Sequence, residues 1–375
     1  MLLSTSRKES SEVPRSYHPL ARCVVESPAR GPPDGDAGYI HGRTTFHLFP
    51  RASAMRVSHL LLSALVVAAF GDLHAQCSPA VQKLVGEQKY DEARAEAQAL
   101  IKQNAADDAA LHCMGRIYAA QGKSGDAVDW LEKAVKANDK NALHHLQLGN
   151  ALGTEAEKAN KLRQPFLARR VKTEFELAVA CDPKLADAHD GLMEFYLQAP
   201  GFMGGSLEKA KEQAQIISTL SAYDGHVAMA SIARHEKDLA GEQKELEAAL
   251  TAAPDTANAW YQLELFYQNQ QKWSQAFALM ERAFKDRPAD LVAHFYFGRA
   301  AALSGENLER GERELKQWLT TAGPSSPTVT QSAGHWRLGM IYEKQAKKDS
   351  ARAEYQVAVS LNPKSDAKKM LEALK

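Results

Sequence analysis

Residues 108–141 read DAALHCMGRIYAAQGKSGDAVDWLEKAVKANDKN. Apolar and small residues recur there at three- and four-residue steps in two blocks, with Gly122 between them. That is the pattern of two short amphipathic helices joined by a tight turn. The pair is too small to bury its own apolar face. The same small residues return 34 positions away: Ala93 and Ala127, Gly115 and Gly149, Ala249 and Ala283, Pro254 and Pro288. A fixed period of this length marks helix–turn–helix units that gain a core by stacking on their neighbours.

The beat extends over most of the chain. Residues 257–290 repeat it through Trp260, Leu263, Tyr267, Ala276, Met280, Ala283 and Pro288, and residues 332–365 through Leu338, Gly339, Tyr342, Ala351, Tyr355, Ala358 and Pro363. In residues 108–141 the same places hold Leu111, Met114, Gly115, Tyr118, Ala127, Leu131 and Ala134, with Asp139 in place of the proline. This pattern resembles the tetratricopeptide repeat. The resemblance implies an all-α, right-handed α-solenoid of about eight helix–turn–helix repeats, closed by a polar capping helix near Asp366–Leu374. Weaker units fill residues 76–107, 142–185, 186–222, 223–256 and 291–331. Two depart from the period: ten extra residues between Leu152 and Val171 should lengthen the helices of one unit, and a loop at Ala199–Gly205 interrupts the next.

The amino-terminal part differs. Residues 1–54 hold six of the fifteen prolines and six Arg with one Lys, and show no regular period. They read as a disordered extension. Met55 then begins a short basic segment, an apolar run from Leu60 to Phe70 and a small-residue exit at Ala75, the makeup of a secretory signal peptide over residues 55–75. The reading is that Met55 is the true start, cleavage leaves Gln76 first, and residues 76–375 form the solenoid of an exported bacterial protein, periplasmic or secreted. The alternative is a cytoplasmic tail ahead of a buried apolar helix. Gln76 before Cys77 does not fit a lipoprotein signal.

From Gln76 onward there are 38 Lys plus Arg against 40 Asp plus Glu, a formal charge of −2. Without a basic stripe, nucleic acid is disfavoured. No second apolar run reaches the length of a membrane span. Cys77 and Cys113 fall near the first helices of adjoining units, where one disulfide is geometrically open to them.

No catalytic, cofactor or metal signature stands out. Gly122-Lys123-Ser124 lacks the earlier glycine of a phosphate loop, Ile117 standing there. His144 and His145 are adjacent and point to different helix faces, so they do not chelate together. The Gly201–Gly205 loop either cradles an anion with its amides or merely turns the chain.

The resemblance further implies that repeat positions 5 and 9 line a concave groove. The last three units place Tyr261 and Leu265, Phe295 and Arg299, and Trp336 and Met340 there, an aromatic ladder with one arginine that suits an apolar peptide or helix carrying a carboxylate. The same rings would equally suit the core between helices. The middle of the groove reads as acidic through Asp187, Asp190 and Glu194. The Lys and Asn pattern of the family's carboxylate-gripping members is absent, so chaperone-tail binding is not implied. Two function classes remain: a non-enzymatic scaffold for a protein or peptide partner, or a helical-repeat enzyme or accessory subunit of an envelope enzyme complex.

Overall fold

A computed structural model describes residues 77–321 and 329–374. Extension, signal segment and the Pro324–Pro327 loop lie outside the described residues. Seventeen α-helices and no strand are found among the described residues. They pair in chain order as α1 (Pro79–Gly86) with α2 (Tyr90–Gln103), α3 (Asp108–Ala120) with α4 (Ser124–Ala137), α5 (Ala142–Lys158) with α6 (Gln164–Cys181), and α7 (Ala186–Gln198) with α8 (Leu207–Leu220). Then follow α9 (Ala222–Glu236) with α10 (Leu239–Ala252), α11 (Ala257–Asn269) with α12 (Trp273–Asp286), α13 (Val292–Ser304) with α14 (Leu308–Thr321), α15 (Gln331–Lys344) with α16 (Lys348–Leu361), and α17 (Ala367–Ala373) as the cap. Each helix packs on the next and the first helices of neighbouring pairs also touch, which is the contact pattern of a solenoid.

Local chemistry sets these boundaries. The Asp107 side chain accepts from the Ala110 amide at 2.9 Å, Asp238 from Gly241 at 3.0 Å and Thr330 from Ala333 at 3.2 Å, each satisfying an amide that the helix start leaves orphaned. Pro183, Pro254 and Pro363 follow the ends of second helices, which they cannot continue. Gly122 and Gly305 adopt the left-handed conformation with φ of 73° and 85° at the turns between paired helices. The ten extra residues of the third unit lengthen α5 to 17 and α6 to 18 residues, against 13 and 14 in α3 and α4.

Within units, position 8 approaches position 24 most closely. A methyl group at Gly115 would overlap Leu131, one at Gly149 would overlap Phe175, and the same holds for Gly298 with Leu315 and Gly339 with Tyr355. Ala276, Met280 and Ala283 are likewise sealed in.

Position 4 adds a polar clasp between the paired helices. His145, His189, His226, His294 and His335 set their Nδ1 atoms 2.5–2.8 Å from Glu174, Gln213, Glu245, Glu314 and Glu354 on the second helices. Cys77, just ahead of α1, is disulfide-bonded to Cys113 of α3 with 5.2 Å between the Cα atoms. By restricting the unfolded chain over a separation of 36 residues, such a bridge contributes about 3–4 kcal/mol.

Ala276 is 0% exposed. Leucine there should overpack the α11–α12 interface and destabilise the protein by about 1–3 kcal/mol. Thermal denaturation of Ala276→Leu checks this, an unchanged midpoint being the contrary result.

Candidate functional site

The first helices of the last three units, α11, α13 and α15, carry the sequence-nominated residues to a common stretch of the solenoid. Tyr261 and Phe295 are buried at 5% and 4% exposure, whereas Leu265, Arg299, Trp336 and Met340 are half-buried. Of the two buried rings, Tyr261 packs across to the next unit and Phe295 packs within its own unit against α14. Tyr261 stacks on Tyr296 with centroids 4.7 Å apart and planes at 20°, and Phe295 lies 5.2 Å from Trp318. Trp336 carries the Arg337 guanidinium over its ring face at 3.8 Å.

Polar groups among these rings are buried without partners. Glu264 Oε2, Gln268 Oε1, Arg299 Nη1, Trp336 Nε1 and Arg337 Nε have no hydrogen-bond partner among the described residues. Such groups cost free energy in an empty interior and are ordinarily satisfied. Glu264 stands out, because it occupies position 8, where the other strong units have a glycine or alanine. It is 0% exposed. Its Oε1 accepts from Gln268, whose amide also donates to the Tyr296 carbonyl at 3.1 Å. Burial pushes the Glu264 carboxyl up to about 8, against the opposing pull of Gln268 and Arg299.

At neutral pH Glu264 is therefore mainly uncharged and leaves Arg299 unneutralised. Arg337 on the next unit is half-buried and lies close enough to Arg299 for the two charges to repel; desolvation first and Arg299 second lower it to about 10. Of the neighbouring acids, Glu281 and Glu314 pair with Arg310, Glu312 with Lys316 and Lys347, and Glu354 with His335, while Asp366, paired with Lys369, also acts on Arg337 through its charge without a hydrogen bond to it. Two arginines with spare buried donors thus face a tryptophan and a neutral acid.

The remaining nominated features have other surroundings. Burial, then Glu194, Asp187 and Asp224, raises Asp190 in the acidic middle to about 6. His144 bridges Asp108 and His112 at 3.0 Å each, and burial, then the charges of His144 and Arg116, lower His112 to about 3. The Cys113 thiol is consumed in its disulfide. In the Gly201–Gly205 loop the Met203, Gly204 and Gly205 amides donate to backbone carbonyls of the loop itself, which spends the donors an anion would need. Glu264 and Arg337 escape a search of positions 5 and 9. The legible signal was a carboxylate standing where the repeat demands a small residue.

A tetratricopeptide-repeat family model matches residues 80–142 and a second matches residues 333–365. With eight helix pairs in the described residues, the chain is a tetratricopeptide-repeat protein, and its fold is that of a protein–protein interaction scaffold. No curated protein matches it in sequence. Among solved structures, a tetratricopeptide-repeat protein from Parabacteroides merdae is 13% identical, with 74% of this chain and 98% of that one covered and a TM-score of 0.45. A thermophilic tetratricopeptide-repeat protein of Thermus thermophilus is 17% identical, with 50% and 96% covered and a TM-score of 0.44.

The position of Glu264 has a pH consequence. Its folded pKa of about 8 lies above the ordinary 4.5, so the folded state holds the proton more tightly than the unfolded state. Stability from this group is full below the unfolded value and declines as pH rises from 4.5 to about 8. Glu264→Gln should remove that decline: the variant's stability relative to the wild type should grow with pH across this window. Denaturant titrations at pH 5 and pH 8 read it, and parallel behaviour of the two proteins would contradict the assignment.

Proposed function

We propose that the groove of the last three units holds a protein segment that brings an acidic group to Arg299 and Arg337. The observation that carries this reading is the pair of arginines with no carboxylate hydrogen-bonded to either among the described residues, each with a buried nitrogen lacking a partner. Guanidinium forks match a carboxylate bidentately, and an incoming carboxylate would satisfy both while relieving their mutual repulsion. Trp336, Leu265 and Met340 supply the half-exposed apolar wall, and Tyr261 and Phe295 hold it from behind. The mixture of aromatic anchor and arginine is the composition of interface hot spots.

The test is a panel of labelled dodecapeptides made in pairs, each acidic member with an amide twin. The acidic member should bind about tenfold or more tightly, and Arg299→Gln should erase the preference. Trp336→Ala should weaken binding by about 2 kcal/mol or more with circular dichroism unchanged. Equal binding by the twins would refute the reading, as would lost helicity in the tryptophan variant.

The site of action belongs to the same proposal. The apolar run Leu60–Phe70 ahead of Ala75 and the Cys77–Cys113 bridge both suit export to an oxidising compartment. Expressed from Met55, the protein should be recovered in a periplasmic or secreted fraction beginning at Gln76 or a close neighbour. Amino-terminal sequencing decides, and an intact Met1 on a cytoplasmic protein is the refuting result.

A further inference from the structure

Two departures from the repeat period place exposed apolar side chains on one edge of the solenoid. Leu162, in the turn between α5 and α6, is 83% exposed, Phe166 in the first turn of α6 is 69% exposed, and Phe202, in the loop joining α7 to α8, is 87% exposed. These are the most exposed large apolar residues described. The 3-10 turn Gly201–Met203 packs on α6, so the two tips lie on the same edge of the solenoid.

The backbone holds Phe202 outward. The Met203 and Gly205 amides donate to the Pro200 carbonyl at 2.8 and 3.2 Å, and the Ser206 amide donates to the Tyr196 carbonyl at 2.9 Å. Gly204 turns through φ of 101°, and a side chain at Gly205 would overlap the Ala199 carbonyl. A loop so fully bonded presents its aromatic ring as a fixed feature.

Positive charge flanks the tip that carries Leu162 and Phe166. Residues 158–172 contain Lys158, Lys161, Arg163, Arg169, Arg170 and Lys172 and no acidic residue, within a chain of formal charge zero. Arg170 pairs with Glu132 and Lys172 with Glu176, while Lys158 donates to the Gly122 carbonyl and the Ser124 hydroxyl. Lys161, Arg163 and Arg169 are exposed and make no ion pair with the described residues. Separate apolar tips on one edge, one of them flanked by unpaired cations, match the boundary between acyl chains and phosphates of an anionic bilayer better than they match a continuous protein face.

We propose that these two tips dock the solenoid on an anionic phospholipid surface, with Leu162, Phe166 and Phe202 entering the headgroup boundary and Lys161, Arg163 and Arg169 meeting lipid phosphates. No described helix is long and apolar enough to cross a membrane, so this is attachment at the surface. The tips belong to the third and fourth units and the groove residues to the last three, so both are open at once.

Co-sedimentation of the full chain with phosphatidylglycerol–phosphatidylcholine vesicles, against pure phosphatidylcholine vesicles, tests it. Binding should be stronger to the anionic vesicles and should fall at 500 mM salt, where charges are screened. Phe202→Ser should weaken binding to the anionic vesicles about tenfold, and Lys161→Glu with Arg163→Glu should abolish the preference for them. Both sets of positions are exposed, and circular dichroism verifies the fold. The apolar run Leu60–Phe70 is present in every sample, so only the differences between variants and lipids count. Equal binding to both vesicle types, or variants that bind like the wild type, would overturn the proposal. So would self-association that the same variants abolish in the absence of vesicle binding, which would assign the tips to a second copy.

Discussion

Everything in this molecule hangs on how closely the two helices of a unit can approach. The repeat places a residue without a bulky side chain on the first helix against a large one on the second: Gly115 against Leu131, Gly149 against Phe175, Gly298 against Leu315, Gly339 against Tyr355. Each pair is a knob seated directly on backbone, and interiors packed at this density tolerate little change in volume. The resulting helix pair presents the apolar face that the next unit covers. Once that approach is set, the number of units fixes the length of the groove and the turns between helices line its edges.

The unit that breaks this rule marks the candidate site. Glu264 stands where the glycine belongs, and α11 and α12 approach one another less closely than the helices of the glycine- and alanine-bearing units. A buried acid, held neutral, is costly ballast for a scaffold unless it serves something. Its neighbours share that character: Gln268, Arg299 and Arg337 all carry buried polar atoms that no described residue satisfies. Natural sequences depart from local consistency mostly at functional places, and here four departures fall together across three adjoining first helices.

Much of this architecture was legible in the sequence because a repeat advertises its packing at a fixed interval. Ala127, Ala249, Ala276 and Ala283 announce buried small positions, and the surplus between Leu152 and Val171 announces the lengthened α5 and α6. The site was only partly legible. Positions 5 and 9 point to Arg299 and Trp336, but a ring at such a position is equally at home in the groove and between units. Tyr261 and Phe295 show the difficulty, since only the neighbouring Tyr296 and Trp318 reveal how deeply they are held. Arg337 escaped because its role depends on the charge of a residue one unit away. Glu264 was visible as a mismatch, and a search for residues that fit a pattern passes over the one that violates it.

The bridge between Cys77 and Cys113 has a mechanical meaning. A chain of stacked units behaves as a spring under tension, each unit able to peel from its neighbour before the rest yields. Cys77 precedes α1 and Cys113 lies within α3, so the covalent link spans the whole first helix pair. A pull applied at the amino-terminal end therefore travels through sulfur directly into the second unit, and α1 and α2 form a closed bight that carries none of the load. The amino-terminal end of the described solenoid is in effect a fixed hitch, and extension under force begins with the units beyond it.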